Sequence, residues 1–255
     1  MNKIKKIAEM RRRLNSGNSV IGSWMQIDNA SIAEIMGNAN YDWVAIDLEH
    51  GSFSDNNVQN IFRALELSNT IPLARIISLN EDSCKKALDS GACGLIIPKI
   101  ENINQAKKAK ELSSWPPKGK RGVGYSRANL YGKRFNSYKE EAQKPLLIGM
   151  IESKEGIDNL EGILKSKCFD AIMIGPYDLS ASLGFTGELS NTKVHKSVNK
   201  IKNICKKNNT PFGIHIVEPD PKKLIKSIRD GYQFIAYAGD TMFLNTYINN
   251  PYKKK

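Results

Sequence analysis

Acidic side chains stand just beyond two apolar, strand-like runs of this chain, where they could share one divalent cation. Glu152 follows the run 146–151, and Asp178 follows the run 171–174 through the turn Gly175-Pro176-Tyr177. A third run, 43–46, ends in Asp47-Leu48-Glu49-His50, and a fourth, 71–74, ends in Arg75. Acids, an imidazole and a guanidinium at strand C-termini are the parts from which parallel α/β proteins build active sites. Neighbouring strands lie about 4.8 Å apart, so carboxylates at matching heights on the runs before Glu152 and Asp178 can reach one ion. Two carboxylates completed by waters form a hard-oxygen site that suits Mg²⁺ or Mn²⁺. Helix capping is the alternative for both residues, Glu152 ahead of a helix starting near Lys154 and Asp178 at one opening with Leu179-Ser180. Spacing alone leaves both readings open.

The remaining polar residues at strand ends extend the same picture. His50 is a candidate general base, because an unperturbed imidazole titrates near neutrality, and Asp47 or Glu49 is placed to fix its tautomer. A satisfied polar residue in a βα turn is the plainer reading. Arg75 offers a fork that grips a carboxylate or stabilises an enolate oxygen, or else closes an interstrand salt bridge. His215 ends another apolar run and faces the same mouth, as a substrate contact or as polar lining. The segment from Gly175 to Ser180 bends into a helix N-terminus, whose free N–H groups suit a carboxylate. Arg121 and Arg127 lie in a long loop from which they could meet an anionic substrate. Lys99 ends a further run and raises a metal-free rival, a Schiff-base lysine. His195 sits in a lysine-rich helical pattern and reads as surface.

The elements that must position these groups come next. Apolar runs at 20–26, 42–47, 71–76, 94–98, 146–151, 170–175, 212–216 and 233–238 are near-continuous rather than alternating, as strands buried on both faces are. Helical patterns fall between them at about 31–36, 55–69, 82–90, 103–113, 154–165, 192–208 and 219–230, with a short one after Asp240. Ser90-Gly91 and Asp230-Gly231 suit left-handed helix ends. Eight alternating units behind a leading helix at about 3–16 predict a (β/α)8 TIM barrel, and no GxGxxG turn follows the first strand to argue for an open sheet. The long connection 99–145, rich in Gly, Pro and Arg, is expected to cover the mouth. No linker divides the chain, so residues 1–255 are read as one domain.

Composition narrows the class. No apolar run approaches the roughly 20 residues needed to span a bilayer, and the charged N-terminus lacks a secretory apolar core. A soluble, cytoplasmic protein with no membrane partner is expected. Cys84, Cys93, Cys168 and Cys205 show no metal-ligand spacing and read as reduced structural thiols. The net charge of +12 is spread over scattered lysines, including Lys107-Lys108, Lys206-Lys207 and the tail Lys253-Lys254-Lys255. Without a nucleic-acid motif or aromatic platforms, these lysines point to solvated helix faces that attract anionic small molecules rather than nucleic acid.

In order along the chain stand Tyr41-Asp42-Trp43-Val44-Ala45-Ile46-Asp47-Leu48-Glu49-His50-Gly51, Pro72-Leu73-Ala74-Arg75, Pro116-Pro117-x-Gly-x-Arg121-Gly-Val-Gly, Ile151-Glu152, Ile174-Gly175-Pro176-x-Asp178-Leu179-Ser180 and Gly239-Asp240-Thr241. From about Gly22 to Leu244 this series resembles the HpcH/HpaI aldolases, metal-dependent class II enzymes that cleave 4-hydroxy-2-oxo acids to pyruvate and an aldehyde. Ser126-Arg127-Ala128-Asn129 is similar to members acting on 2-dehydro-3-deoxyglucarate; others of the family take 4-hydroxy-2-oxoheptanedioate. The resemblance implies ligation of Mg²⁺ or Mn²⁺, with Co²⁺ as a further fit, by Glu152 and Asp178. It implies His50 as a base acting through water with support from Asp47, and Arg75 on the pyruvyl oxygen of an enolate. The amides around Tyr177 and Asp178 would hold the pyruvate carboxylate, and Asp89 would reach a neighbouring subunit's site in a homo-oligomer, commonly a hexamer built as a trimer of dimers. Two positions depart from the family pattern: Met150 stands where Gln is frequent, and Lys99 where an apolar residue is common. They leave room for a related condensing enzyme, citrate-synthase-like with an oxaloacetate acceptor. A non-catalytic metabolite-binding barrel is the reading from a different class.

Overall fold

Both faces of each strand are covered, and the continuous apolar runs are the trace of that burial. In the computed structural model, which describes residues 1–248, 250 and 252, eight strands form a closed barrel in chain order. They are β1 (Val20–Met25), β2 (Trp43–Asp47), β3 (Ile71–Arg75), β4 (Gly94–Ile97), β5 (Leu146–Ile151), β6 (Ala171–Ile174), β7 (Phe212–Ile216) and β8 (Phe234–Gly239). Every neighbouring pair is parallel, β8 against β1 included. The helices are α1 (Lys3–Asn15), α2 (Ala30–Gly37), α3 (Asp55–Leu67), α4 (Glu81–Asp89), α5 (Ile103–Ser113), α6 (Phe135–Ala142), α7 (Lys154–Asp158), α8 (Leu160–Lys165), α9 (Pro176–Ser182), α10 (Thr192–Lys207), α11 (Pro221–Arg229) and α12 (Asp240–Tyr247). The barrel predicted from the sequence is therefore the fold. The lysine tail 253–255 lies outside the described residues.

Side chains alternate across each strand, so two cores form. Outward residues such as Val44, Ile46, Leu147 and Ile174 pack against the helices. Inward residues, among them Trp24, Trp43, Leu73, Ile148, Met150, Met173 and Phe234, fill the barrel. Trp43 stacks on Phe234 with ring centroids 4.4 Å apart, and Gly22 leaves the room that its indole occupies. Helix α1 plugs the N-terminal end of the barrel with Ile7, Met10 and Leu14, burial that contributes roughly 1.5–3 kcal/mol per side chain. Its buried Lys3 Nζ donates to Gly91 O at 2.8 Å and pairs with Glu66 at 3.0 Å, fastening the plug to the helical wall.

Two local expectations need correction. The helix read at 154–165 is two, α7 and α8, with a break at Asn159. The connection 99–145 does not cover the mouth. Besides α5 it contains a short 3-10 turn, Arg127–Asn129, and α6, and Trp115, Ala128, Tyr138 and Ala142 form a small core of their own. Arg127 Nη1 donates to Glu66 Oε1 at 2.7 Å and to Ser90 O at 3.0 Å, which straps the segment to the C-terminal ends of α3 and α4. Helix C-termini in this architecture lie at the end of the barrel opposite the strand C-termini.

Candidate active site

At the C-terminal strand ends a pocket of about 250 Å³ opens among Trp24, His50, Arg75, Met150, Gly175, Asp178 and His215, with no residue of the 99–145 connection in its lining. Strand register sets its height: Ile151 of β5 pairs with Ile174 of β6, so Glu152 and Gly175 leave the barrel side by side. Glu152 is 3% exposed. Its Oε1 accepts the backbone N–H of Lys99 at 2.7 Å, a bond set up by the left-handed turn at Lys99 (φ 52°). Its Oε2 is buried without a partner among the described residues. Burial, with Asp178 and Glu49 adding negative potential, raises Glu152 to about 7 although the Lys99 amide works the other way. A lone pair left open in a crowd of carboxylates marks a place for positive charge.

Gly175 keeps that place clear. A methyl group there would stand 2.9 Å from Glu152 Cβ and nearer still to Oε2. Gly175→Ala is therefore expected to weaken divalent-cation binding at least tenfold with little change in fold, as read by calorimetric titration of Mn²⁺; unchanged affinity would show that Oε2 does not face the cation. Asp178, in the first turn of α9, is exposed to the pocket, and Pro176 at the helix start leaves the Tyr177 and Asp178 amides without intrahelical partners. Among the described residues no group of three or more His, Cys, Asp or Glu is placed around one ion. Two protein carboxylates fit a hard cation that keeps waters and takes substrate oxygens.

On the other wall, Asp47 pairs in register with Arg75. Arg75 Nε and Nη2 donate to the two Asp47 oxygens at 2.8 and 2.6 Å, and its Nη1 lies 3.2 Å from Glu49. The guanidinium also sits over Trp24, 4.8 Å from the ring centroid. Burial works to raise the Asp47 carboxyl, but Arg75 outweighs it and holds the group below its ordinary value. Glu49 goes the other way, pushed up by burial. The expected Asp47 support for the His50 imidazole takes a different form. Asp47 Oδ1 accepts the backbone N–H of His50 at 3.2 Å, while Gln26 Nε2 donates to Oδ2 at 3.0 Å. Asp47 thus shapes the turn that carries His50, whose side chain is exposed at the rim. Gln26, one residue past β1, escaped the sequence reading, although a polar residue ending an apolar run was the available signal. Glu49 was weighed only as a partner for His50.

His215 lies inside the pocket. Its Nε2 is 3.2 Å from Ala238 O, and its ring meets Trp24 at 5.9 Å. Met150 lies on the pocket wall at 4% exposure. Arg127 is corrected as a substrate contact, because its guanidinium is buried and committed to Glu66 and Ser90. Arg121 is also buried, bonded to Tyr138 Oη at 3.0 Å. Asp89 ends α4, half-buried, with Arg121 and Lys85 nearby, and so takes no part in its own chain's pocket. Lys99 and His195 carry exposed side chains outside the pocket lining. All four cysteines are free, and burial pushes Cys84 to about 11 and Cys93 and Cys205 to about 12, which leaves those three inert at neutral pH. No helix among the described residues is long and apolar enough to cross a membrane.

Comparison with known proteins agrees with this geometry. The sequence profile of the family described as HpcH/HpaI aldolase/citrate lyase matches residues 20–246. A hydroxypyruvate/pyruvate aldolase of Roseobacter denitrificans is 33% identical over 239 residues, covering 92% of this chain and 93% of its own. A 2-keto-3-deoxy-L-rhamnonate aldolase of Salmonella gallinarum is 33% identical over 235 residues, covering 90% of this chain and 86% of its own. Among solved structures, an HpcH/HpaI aldolase/citrate lyase family protein from Burkholderia cenocepacia superposes with a TM-score of 0.88 at 29% identity, covering 94% of this chain and 96% of that one.

Proposed function

The chain belongs to the HpcH/HpaI aldolase/citrate lyase family and is an aldolase-type carbon–carbon lyase, and from that premise we propose that its pocket reversibly cleaves 4-hydroxy-2-oxo acids to pyruvate and an aldehyde. The observation that carries this reading is the unpartnered, buried Oε2 of Glu152 beside Gly175, a residue that lines the pocket together with Arg75 and Asp178. Glu152 and Asp178 would hold a divalent cation, Mg²⁺ or Mn²⁺ with Co²⁺ also compatible, which supplies Lewis-acid polarisation of the 2-oxo group when bound.

The chain's own residues do the rest. The Tyr177 and Asp178 amides face the substrate carboxylate at the start of α9. Arg75, fixed by Asp47, keeps donors on Nη1 and Nη2 for the 2-oxo oxygen, and its charge favours the enolate over the ketone. His50 at the rim takes the proton of the 4-hydroxyl, directly or through one water. As that proton leaves, the C3–C4 bond breaks, its electrons form the pyruvate enolate, and C4 departs as the aldehyde. Protonation at C3 gives pyruvate; the reverse sequence is condensation. We further infer a cytoplasmic homo-oligomer, a hexamer in which Asp89 serves a neighbouring copy's site.

Pyruvate release from 4-hydroxy-2-oxo acids, followed with and without EDTA, tests the reading. Turnover is expected to vanish with chelator and return with Mg²⁺ or Mn²⁺; activity that survives complete metal removal would overturn it. Oxaloacetate offered with labelled pyruvate or acetyl-CoA, as a competing acceptor, separates the aldolase from a condensing enzyme.

A further inference from the structure

Besides the exposed Tyr177 hydroxyl and the unpartnered Trp24 indole N–H, the pocket holds one polar group that the proposed reaction does not use. The rest of its polar side chains are already committed. Gln26 donates to Asp47 through Nε2 and accepts from Thr241 Oγ1 through Oε1 at 2.9 Å. Arg75 is taken up by Asp47 and Glu49 on one side. Glu152 and Asp178 are the cation pair, and His50 is at the exposed rim. Trp24 has only a donor, and Met150, Met173, Ile174 and Val217 complete an apolar wall. That leaves His215.

A carbonyl oxygen only accepts, so the contact with Ala238 O makes Nε2 the protonated nitrogen and Nδ1 an acceptor. The Ala238 carbonyl is presented by a kink in β8, where Ala238 has φ 49° and the pairing of β8 with β1 shifts register. Burial pushes the imidazole to about 4, with Arg75 adding to the effect, so the ring stays neutral at working pH. Nδ1 has no hydrogen-bond partner among the described residues, and the ring is among those lining the pocket. His215 and Arg75 both pack on the Trp24 indole, at 5.9 and 4.8 Å. The inner end of the pocket is therefore shared by the group that grips the 2-oxo oxygen and by this imidazole, whereas His50 marks the outer, aldehyde side.

We propose that His215 is a specificity-determining residue for the 2-oxo-acid half of the substrate, with Nδ1 accepting a hydrogen bond from a hydroxyl on C3, so that the pocket favours a 3-hydroxy-2-oxo acid over its 3-deoxy analogue. The proposal rests on the aldolase reading and deepens it. An uncharged acceptor in an apolar wall rewards a neutral hydroxyl and offers nothing to a methyl group or a second carboxylate.

The test uses the full chain with Mn²⁺, hydroxypyruvate or pyruvate as donor, and acetaldehyde as an acceptor that carries no hydroxyl. Wild type is expected to favour hydroxypyruvate in kcat/KM, His215→Leu to lower that ratio about tenfold or more, and His215→Gln, which restores an acceptor, to recover part of it. Calorimetric Kd values for the two donors should move in the same ratio. A ratio is insensitive to a fraction of misfolded variant. A wild type that favours pyruvate, a ratio unmoved in His215→Leu, or equal loss for both donors overturns the assignment while leaving the aldolase reading intact. A wild type that consumes neither donor overturns both.

Discussion

Replacing Glu152 with Gln will lower turnover by about 10³-fold or more and yet stabilise the cation-free protein at pH 8. Gln keeps an oxygen for the Lys99 N–H, so the local backbone is preserved, while the second oxygen and its charge are lost. Loss of charge stabilisation at the reacting oxygen typically costs 10²–10³-fold, and here the cation site goes with it. The stability gain follows from linkage. The Glu152 carboxyl is raised from 4.5 in the unfolded chain to about 7 in the fold, so between those values the folded state binds more protons and stability falls as pH rises. Well above pH 7 the ionised group costs about 3 kcal/mol, and Gln removes that cost. Thermal melts of both proteins in EDTA should converge near pH 4.5 and separate towards pH 8, with the variant higher. Because the cation competes with that proton, wild-type affinity for Mn²⁺ should drop about tenfold per pH unit below 7 and level off above it. Melting curves that coincide at pH 8 would show that Glu152 is not a strained carboxylate.

Substitution of Arg75 acts on both stability and chemistry. Asp47 is 1% exposed, and its charge is balanced by the Arg75 fork. Arg75→Ala leaves that carboxylate buried and unpaired, a loss of about 3–5 kcal/mol that urea unfolding should read directly. Arg75→Lys keeps the positive charge but not the two parallel N–H bonds or the stacking on Trp24. Its stability loss should be smaller, with kcat reduced about 10²-fold. Full activity in the Lys variant would mean that charge alone, without the fork, serves the substrate oxygen.

The strands were readable because burial on both faces leaves no polar alternation to confuse a run, and strand-end polar residues were readable because the runs stop there. Asp178, Arg75 and His50 line one pocket for that reason, with Glu152 packed beside Gly175 at its edge. Partnerships were harder. Asp47 is three residues from His50 in sequence, which suggested an imidazole partner, but parallel register sets Asp47 beside Arg75, and the bidentate bond wins. Gln26 reaches Asp47 only because β1 neighbours β2 in the closed barrel. The long connection was misplaced because Gly, Pro and Arg serve equally well in a lid or in a strap. The buried bonds from Arg127 to Glu66 and Ser90, across 61 and 37 residues of sequence, decide between the two.

Proton exchange at the methyl group of pyruvate, followed by NMR in D₂O, tests the central claim without knowledge of the aldehyde. Enolisation at the Glu152–Asp178 pocket predicts steady loss of the methyl signal with Mg²⁺ or Mn²⁺ present, none with EDTA, and none in Glu152→Gln or Asp178→Asn. A methyl signal that persists in the wild-type protein loaded with either cation would contradict it.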